Sequence, residues 1–133
     1  MRKRTMTRQR AVLTAAVMIA VSLVLTLVAT SHAHAGFGAV AYDQDTGKYG
    51  ATWDESTQAR AFELALKQCA SPNCRVHAVE PAGCGALALS DKDKAWGGAD
   101  RETLAKAKQD AVARCQSHTT AGACVVRVSG CNK

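Results

Sequence analysis

Apolar positions follow two regimes along the chain. From Ala11 to Ala29 they form one uncharged run, whereas beyond Gly36 they come in short strips broken by turn residues. Ala39-Val40-Ala41-Tyr42 sets small residues against larger apolar ones. With the turn signal Asp45-Thr46-Gly47 and a return over Lys48 to Trp53, this strip predicts a β-hairpin. Ala59, Phe62, Leu66 and Cys69 then recur at spacings of three and four, which predicts a helix with that inner face, capped by Asp54 or Ser56. Ser71-Pro72-Asn73 ends it, and Val76 and Ala78 start a last short strand.

The same order returns 47 residues later. Gly38-Ala39-Val40-Ala41-Tyr42 is echoed by Gly85-Ala86-Leu87-Ala88-Leu89, and Tyr49-Gly50 by Trp96-Gly97. Asp54-x-x-Thr57 matches Asp100-x-x-Thr103, at the cost of a one-residue gap. Ala65-Leu66-x-x-Cys69 matches Ala111-Val112-x-x-Cys115, and Cys74-Arg75-Val76 matches Cys124-Val125-Val126. The second copy predicts a hairpin at Ala86 to Ser90 and Lys94 to Ala99. A helix follows from about Asp100 to Gln116, with Leu104, Ala107, Ala111 and Cys115 inward, and then a strand at Cys124 to Ser129.

The expected fold is therefore α+β: two tandem pseudo-symmetric β-β-α-β repeats, 38–84 and 85–131, with mainly antiparallel sheet and two helices packed on one side. One continuous sheet and two half-sheets both satisfy the pattern. The repeat also selects among the fifteen pairings open to six cysteines. Cys69 and Cys74 close a helix-to-strand corner, and Cys115 and Cys124 occupy the same two places in the second copy. Cys84 and Cys131 are left to pair with each other, which predicts a bond tying the two halves together.

Charge is informative first at the N-terminus. Arg2, Lys3, Arg4, Arg8 and Arg10 precede the long apolar run, and Ser31-His32-Ala33-His34-Ala35 follows it. This is the tripartite pattern of a cleavable secretory signal over residues 1–35, leaving one exported domain at 36–133. An uncleaved anchor is the alternative. It is disfavoured because the run is rich in Ala, Thr and Ser and leads straight into the small-residue site. The signal takes five of the seventeen basic residues and none of the eleven acidic ones, so the domain is close to neutral and its basicity gives no reason to expect nucleic acid. Six cysteines in a short exported chain read as disulfides rather than a zinc site, since no Cys-x-x-Cys pair occurs.

Gly-Ala-Val-Ala-Tyr at 38–42, Tyr-Gly at 49–50, Cys-x4-Cys-x-Val at 69–76, Cys-Gly-Ala-Leu-Ala at 84–88 and Trp-Gly at 96–97 form a set. Together they resemble a family of small exported bacterial proteins, common in mycobacteria and other actinomycetes, known as domain of unknown function 4189. The resemblance implies a single exported domain with no agreed activity and no catalytic residues to carry over. Leu89, where an aromatic would match Tyr42, and the longer loop Gln116 to Ala123 depart from the pattern of the first copy.

Candidate chemistry is sparse. His77 falls on a strand opposite Val76, which predicts a solvent-facing residue, and His118 falls in a polar loop. Asp91-Lys92-Asp93-Lys94 reads as a solvated hairpin tip rather than a calcium loop. No nucleophile elbow or phosphate loop is present, so neither catalysis nor a cofactor is expected. Tyr49 and Trp96, equivalent in the repeat and each followed by glycine, are the candidate contact aromatics. They serve either as packing over helices or glycines or as platforms for a glycan or protein partner. The expected role is a non-enzymatic binding or interaction module of the cell envelope or extracellular space, exported by the general secretory route and without stable membrane insertion after cleavage. The alternative is a secreted effector or inhibitor acting on a foreign or host protein.

Overall fold

The computed structural model describes residues 35–133. The segment read as an export signal lies, apart from Ala35, outside the described residues. The elements are β1 (Phe37–Tyr42), β2 (Tyr49–Glu55), α1 (Gln58–Cys69), β3 (Arg75–Val79), β4 (Cys84–Ser90), β5 (Trp96–Arg101), α2 (Leu104–His118) and β6 (Cys124–Cys131). The β-β-α-β unit therefore occurs twice, as the repeat predicts. It folds into two half-sheets, with antiparallel orders β2-β1-β3 and β5-β4-β6.

The central strands show why the sequence alternates in size rather than polarity. Both faces of β1 and β4 are covered, so polar side chains are excluded from either, apart from Ser90 at the very end of β4. Ala39 and Ala41 face α1, and Ala86 and Ala88 face α2; the small side chains let each helix lie close. Val40, Tyr42, Leu87 and Leu89 point the other way and meet in a shared layer with Val79. The two sheets thus pack face to face, with one helix outside each.

Each helix docks through its smallest residues. In α1 the buried positions are Ala61, Ala65 and Cys69, not Ala59, Phe62 and Leu66 as the periodicity predicts; Phe62 is half-buried and Leu66 exposed. The reason lies across the interface. A β-carbon at Gly50 would fall 2.6 Å from the Cys69 amide nitrogen, so β2 and α1 touch backbone to backbone. Gly97 does the same against Ala111 and Cys115 of α2, where Ala107, Ala111 and Cys115 are buried as expected and Leu104 is partly buried. The caps are Thr57 and Thr103, whose hydroxyls accept from the Arg60 and Lys106 amides, in place of Asp54 or Ser56.

Asp54 has another role. β1 pairs Ala39 with Thr52 but Phe37 with Glu55, which leaves an extra residue in β2, and Asp54 takes it up as a bulge at φ 58°. The second hairpin runs without interruption through Ala86–Ala99, Gly85–Asp100 and Cys84–Arg101. By register, Asp100 is therefore the counterpart of Trp53, and Asp54 has none.

Disulfides join Cys69 to Cys74, Cys115 to Cys124 and Cys84 to Cys131. The first two fasten the end of each helix to the following strand. Cys84 and Cys131 are register partners on β4 and β6, so their bond closes the second sheet instead of tying the halves. The halves are held by packing and hydrogen bonds. Buried Asn132 donates to the Val79 and Glu80 carbonyls at 3.2 and 2.9 Å and accepts from the Asp54 amide at 3.1 Å.

Candidate binding cleft

The sandwich has two open sides, and they are filled differently. Where β2 faces β6, the Trp53 indole lies over Gly38, Gly85 and Gly130. A β-carbon would stand 2.6 Å from its Nε1 at Gly130 and 3.1 Å from its ring at Gly85. Where β3 faces β5, the equivalent position is Asp100, whose carboxylate turns to the end of β3 and accepts from the Glu80 amide at 3.1 Å. Gly98 also stands where the first repeat has Ala51. With the indole replaced by a carboxylate and a methyl removed, this side retains a cleft of about 260 Å³.

Val40, Val79 and Leu87 form its floor, and Tyr42, His77 and Trp96 its mouth. The Trp96 ring lies 5.5 Å from that of Tyr42 and 5.9 Å from that of His77, centroid to centroid. Tyr42 is fixed by donating its hydroxyl to the Lys94 carbonyl at 3.1 Å, a contact between the two repeats. Its pKa is pushed up by burial and, secondarily, by the negative charge of Asp43. Arg114 reaches from α2 over the edge of β5, donates to the Gly98 carbonyl at 2.8 Å and forms part of the rim.

Trp96 sits where further hollows meet the cleft. One runs past Gln44, Asp93 and His118, the other past Asp45, Asn73 and Arg75. The structure thus brings Trp96 together with His77 and Tyr42, a grouping the repeat did not reveal. His77 is exposed, as its strand parity predicts, yet its ring is aligned with the cleft mouth. Tyr49 lies on the opposite side of the sandwich, 39% exposed, beside Leu89, Lys94 and Arg127. Tyr49 and Trp96 are related by the internal symmetry but do not share one site.

The carboxylates bordering the adjoining hollows are engaged by the chain's own donors. Asp43 accepts from the Ser71 and Thr46 hydroxyls and from the Asp45 and Thr46 amides; the hydroxyls foremost hold its pKa down at about 2 against the opposing effect of burial. Asp93 is lowered in the same way by Ser90 and Thr119, then by the Thr120 amide. These are one knot built twice, with the acid and hydroxyl exchanged between positions 43/46 and 90/93. Each ties a hairpin tip to the end of the neighbouring helix. Among the described residues no group of three His, Cys, Asp or Glu side chains converges as a metal site would require.

A family model covers residues 37–131, from the first strand to the last cysteine. The chain belongs to the family described as Domain of unknown function (DUF4189). Among DUF4189-like proteins, Protein Rv1269c of Mycobacterium tuberculosis (strain ATCC 25618 / H37Rv) is 38% identical over 78 residues, 59% of this chain and 60% of that protein. Protein Mb1300c of Mycobacterium bovis (strain ATCC BAA-935 / AF2122/97) matches to the same extent, so the match spans under two thirds of these relatives. Their names state no activity. The NMR structure of Rv1813c from Mycobacterium tuberculosis has a similar fold, with a TM-score of 0.56 and 31% identity, covering 74% of this chain and 76% of that one.

Proposed function

We propose that this DUF4189 protein is an exported, non-enzymatic binding module of the cell envelope or extracellular space, with the Trp96 cleft as its contact site. The observation that carries the reading is the asymmetry of the sandwich: one side is sealed by Trp53, while its counterpart is open and bordered by Tyr42, His77 and Trp96. A concave apolar floor with a few polar groups at its rim is the usual form of a ligand site. Three disulfides favour an oxidising compartment, and no helix among the described residues is long and apolar enough to cross a membrane.

The non-enzymatic part draws support from the polar groups. Among the described residues no hydrogen bond joins His77 or His118 to a hydroxyl, thiol or carboxylate, and Asp43, Asp93 and Asp100 accept from local donors. Among the described residues no nucleophile, base and orienting group come together.

The test combines fractionation with binding. The protein is expected in the wall or culture filtrate with all six cysteines oxidised, and His77→Ala is expected to weaken its retention on wall fragments or on a purified partner without lowering its melting temperature. Recovery in the cytosol with free thiols, or retention indifferent to His77, would sink the reading.

A further inference from the structure

We infer that the Trp96 cleft takes an aromatic side chain presented on an extended segment of a partner protein, which pairs with the free edge of β3. The inference rests on the proposed binding role and specifies its ligand.

Three observations converge. The cleft is continuous with the interface between the sheets and is its unfilled half; the filled half receives Trp53, an indole carried on the edge strand β2. The chain thus already shows which side chain completes this kind of space. The polar groups around the cleft are also largely spent: the Tyr42 hydroxyl donates to Lys94, Asp100 accepts from Glu80 and Arg114 donates to Gly98. A sugar needs many hydrogen-bond partners, whereas an apolar ring needs few.

The sheet edges differ as well. Gln68 accepts from the Ala51 amide on β2 and Arg114 donates to Gly98 on β5, so each of these edges is covered by a helix side chain. β6 is interrupted by a register shift near Arg127. β3 is regular over Arg75–Val79; among the described residues no side-chain hydrogen bond reaches the backbone of Val76 or Ala78, and Asp100 takes only the Glu80 amide just past the strand. A strand added there would send alternate side chains inward beside His77 and Val79, into the cleft. Charge adds a preference: Arg114 at the cleft and Arg75 in the adjoining hollow belong to no ion pair among the described residues, so acidic residues flanking the aromatic one complement them.

Gly98→Leu provides the control. A β-carbon at Gly98 meets its nearest atom, on the Trp96 ring, at 3.6 Å, ordinary contact, so a side chain can begin there, at the cleft, without pressing on backbone. The oxidised protein would be panned against a display library of random nonapeptides, with chitotetraose and soluble peptidoglycan fragments titrated in parallel. Expected are enriched peptides with a central aromatic residue between β-branched and acidic ones, chemical-shift changes at Arg75–Val79, at least tenfold weaker binding to Gly98→Leu, and loss of binding when one set of alternate peptide amides is N-methylated. No enrichment, enriched sequences without an aromatic residue, or indifference to N-methylation would overturn the inference. If a saccharide binds instead and Gly98→Leu abolishes that binding, the cleft stands and the peptide falls. If no ligand is sensitive to Gly98→Leu, both fall.

Discussion

At the scale of single residues, the carboxylates of the hairpin knots and the interface glycines carry testable consequences. Asp43 and Asp93 titrate below the ordinary carboxylate range because the folded chain supplies hydroxyl and amide donors to their charged forms. A depressed folded-state pKa contributes stability that is complete above the unfolded value, near 4, and is lost as pH falls through the folded value. For Asp43 that window runs from about pH 4 to about pH 2. Melting temperature should hold steady from pH 7 to about 4 and drop steeply below it, while Asp43→Asn and Asp93→Asn should lower the plateau and flatten the drop; an unchanged slope would contradict the knots. Two adjacent glycines give a second contrast. Gly97→Ala should cost about 1–3 kcal/mol or more, because its methyl overlaps the backbone of α2. Gly98→Ala, whose methyl meets the Trp96 ring at ordinary contact distance, should stay within about 0.5 kcal/mol in urea unfolding.

Among the elements, the small residues decided what was legible. The repeat could be read because Ala39/Ala41 and Ala86/Ala88 alternate with larger apolar residues on strands buried on both faces. Periodicity points to Phe62 and Leu66 beside Cys69 on α1 because it favours large apolar residues, whereas Gly50 brings β2 so close that Ala61, Ala65 and Cys69 are what fit. The bulge at Asp54 concealed more. Aligning Asp54 with Asp100 kept two acids together in sequence, but strand register sets Trp53 against Asp100, and that difference is what opens the cleft. A site made by a mismatch between repeats stays hidden until the register is known. The disulfides follow the same logic: Cys84 begins β4 rather than ending the first repeat. Replacing Cys84 and Cys131 by alanine should therefore cost about 4 kcal/mol on the loop-entropy model, against about 2 for the short Cys69–Cys74 loop. Denaturant titration of the two double variants distinguishes them, and equal losses would argue against a chain-entropy origin.

For the whole molecule, the two sides of the sandwich make one experiment. Trp53→Ala removes the indole that covers glycines in both sheets and should cost about 3–5 kcal/mol. It should also open a second cleft on the β2/β6 side. Cavity-sensitive NMR with dissolved xenon should then report one site in the wild type and two in the variant; an unaltered xenon response would mean that the side had collapsed. The bond between Cys84 and Cys131 has a mechanical consequence too. It turns the second repeat into a closed covalent ring, so a molecule held at Gly36 and Lys133 and stretched can unravel its first repeat only, with the ring passing tension straight from β4 to β6. Under reducing conditions the same pull should release a further length on the order of 47 residues, up to about 3.5 Å each. By the same closure, a single protease cut between Gly85 and Gly130 leaves the pieces joined, so half of this protein can be nicked without coming apart.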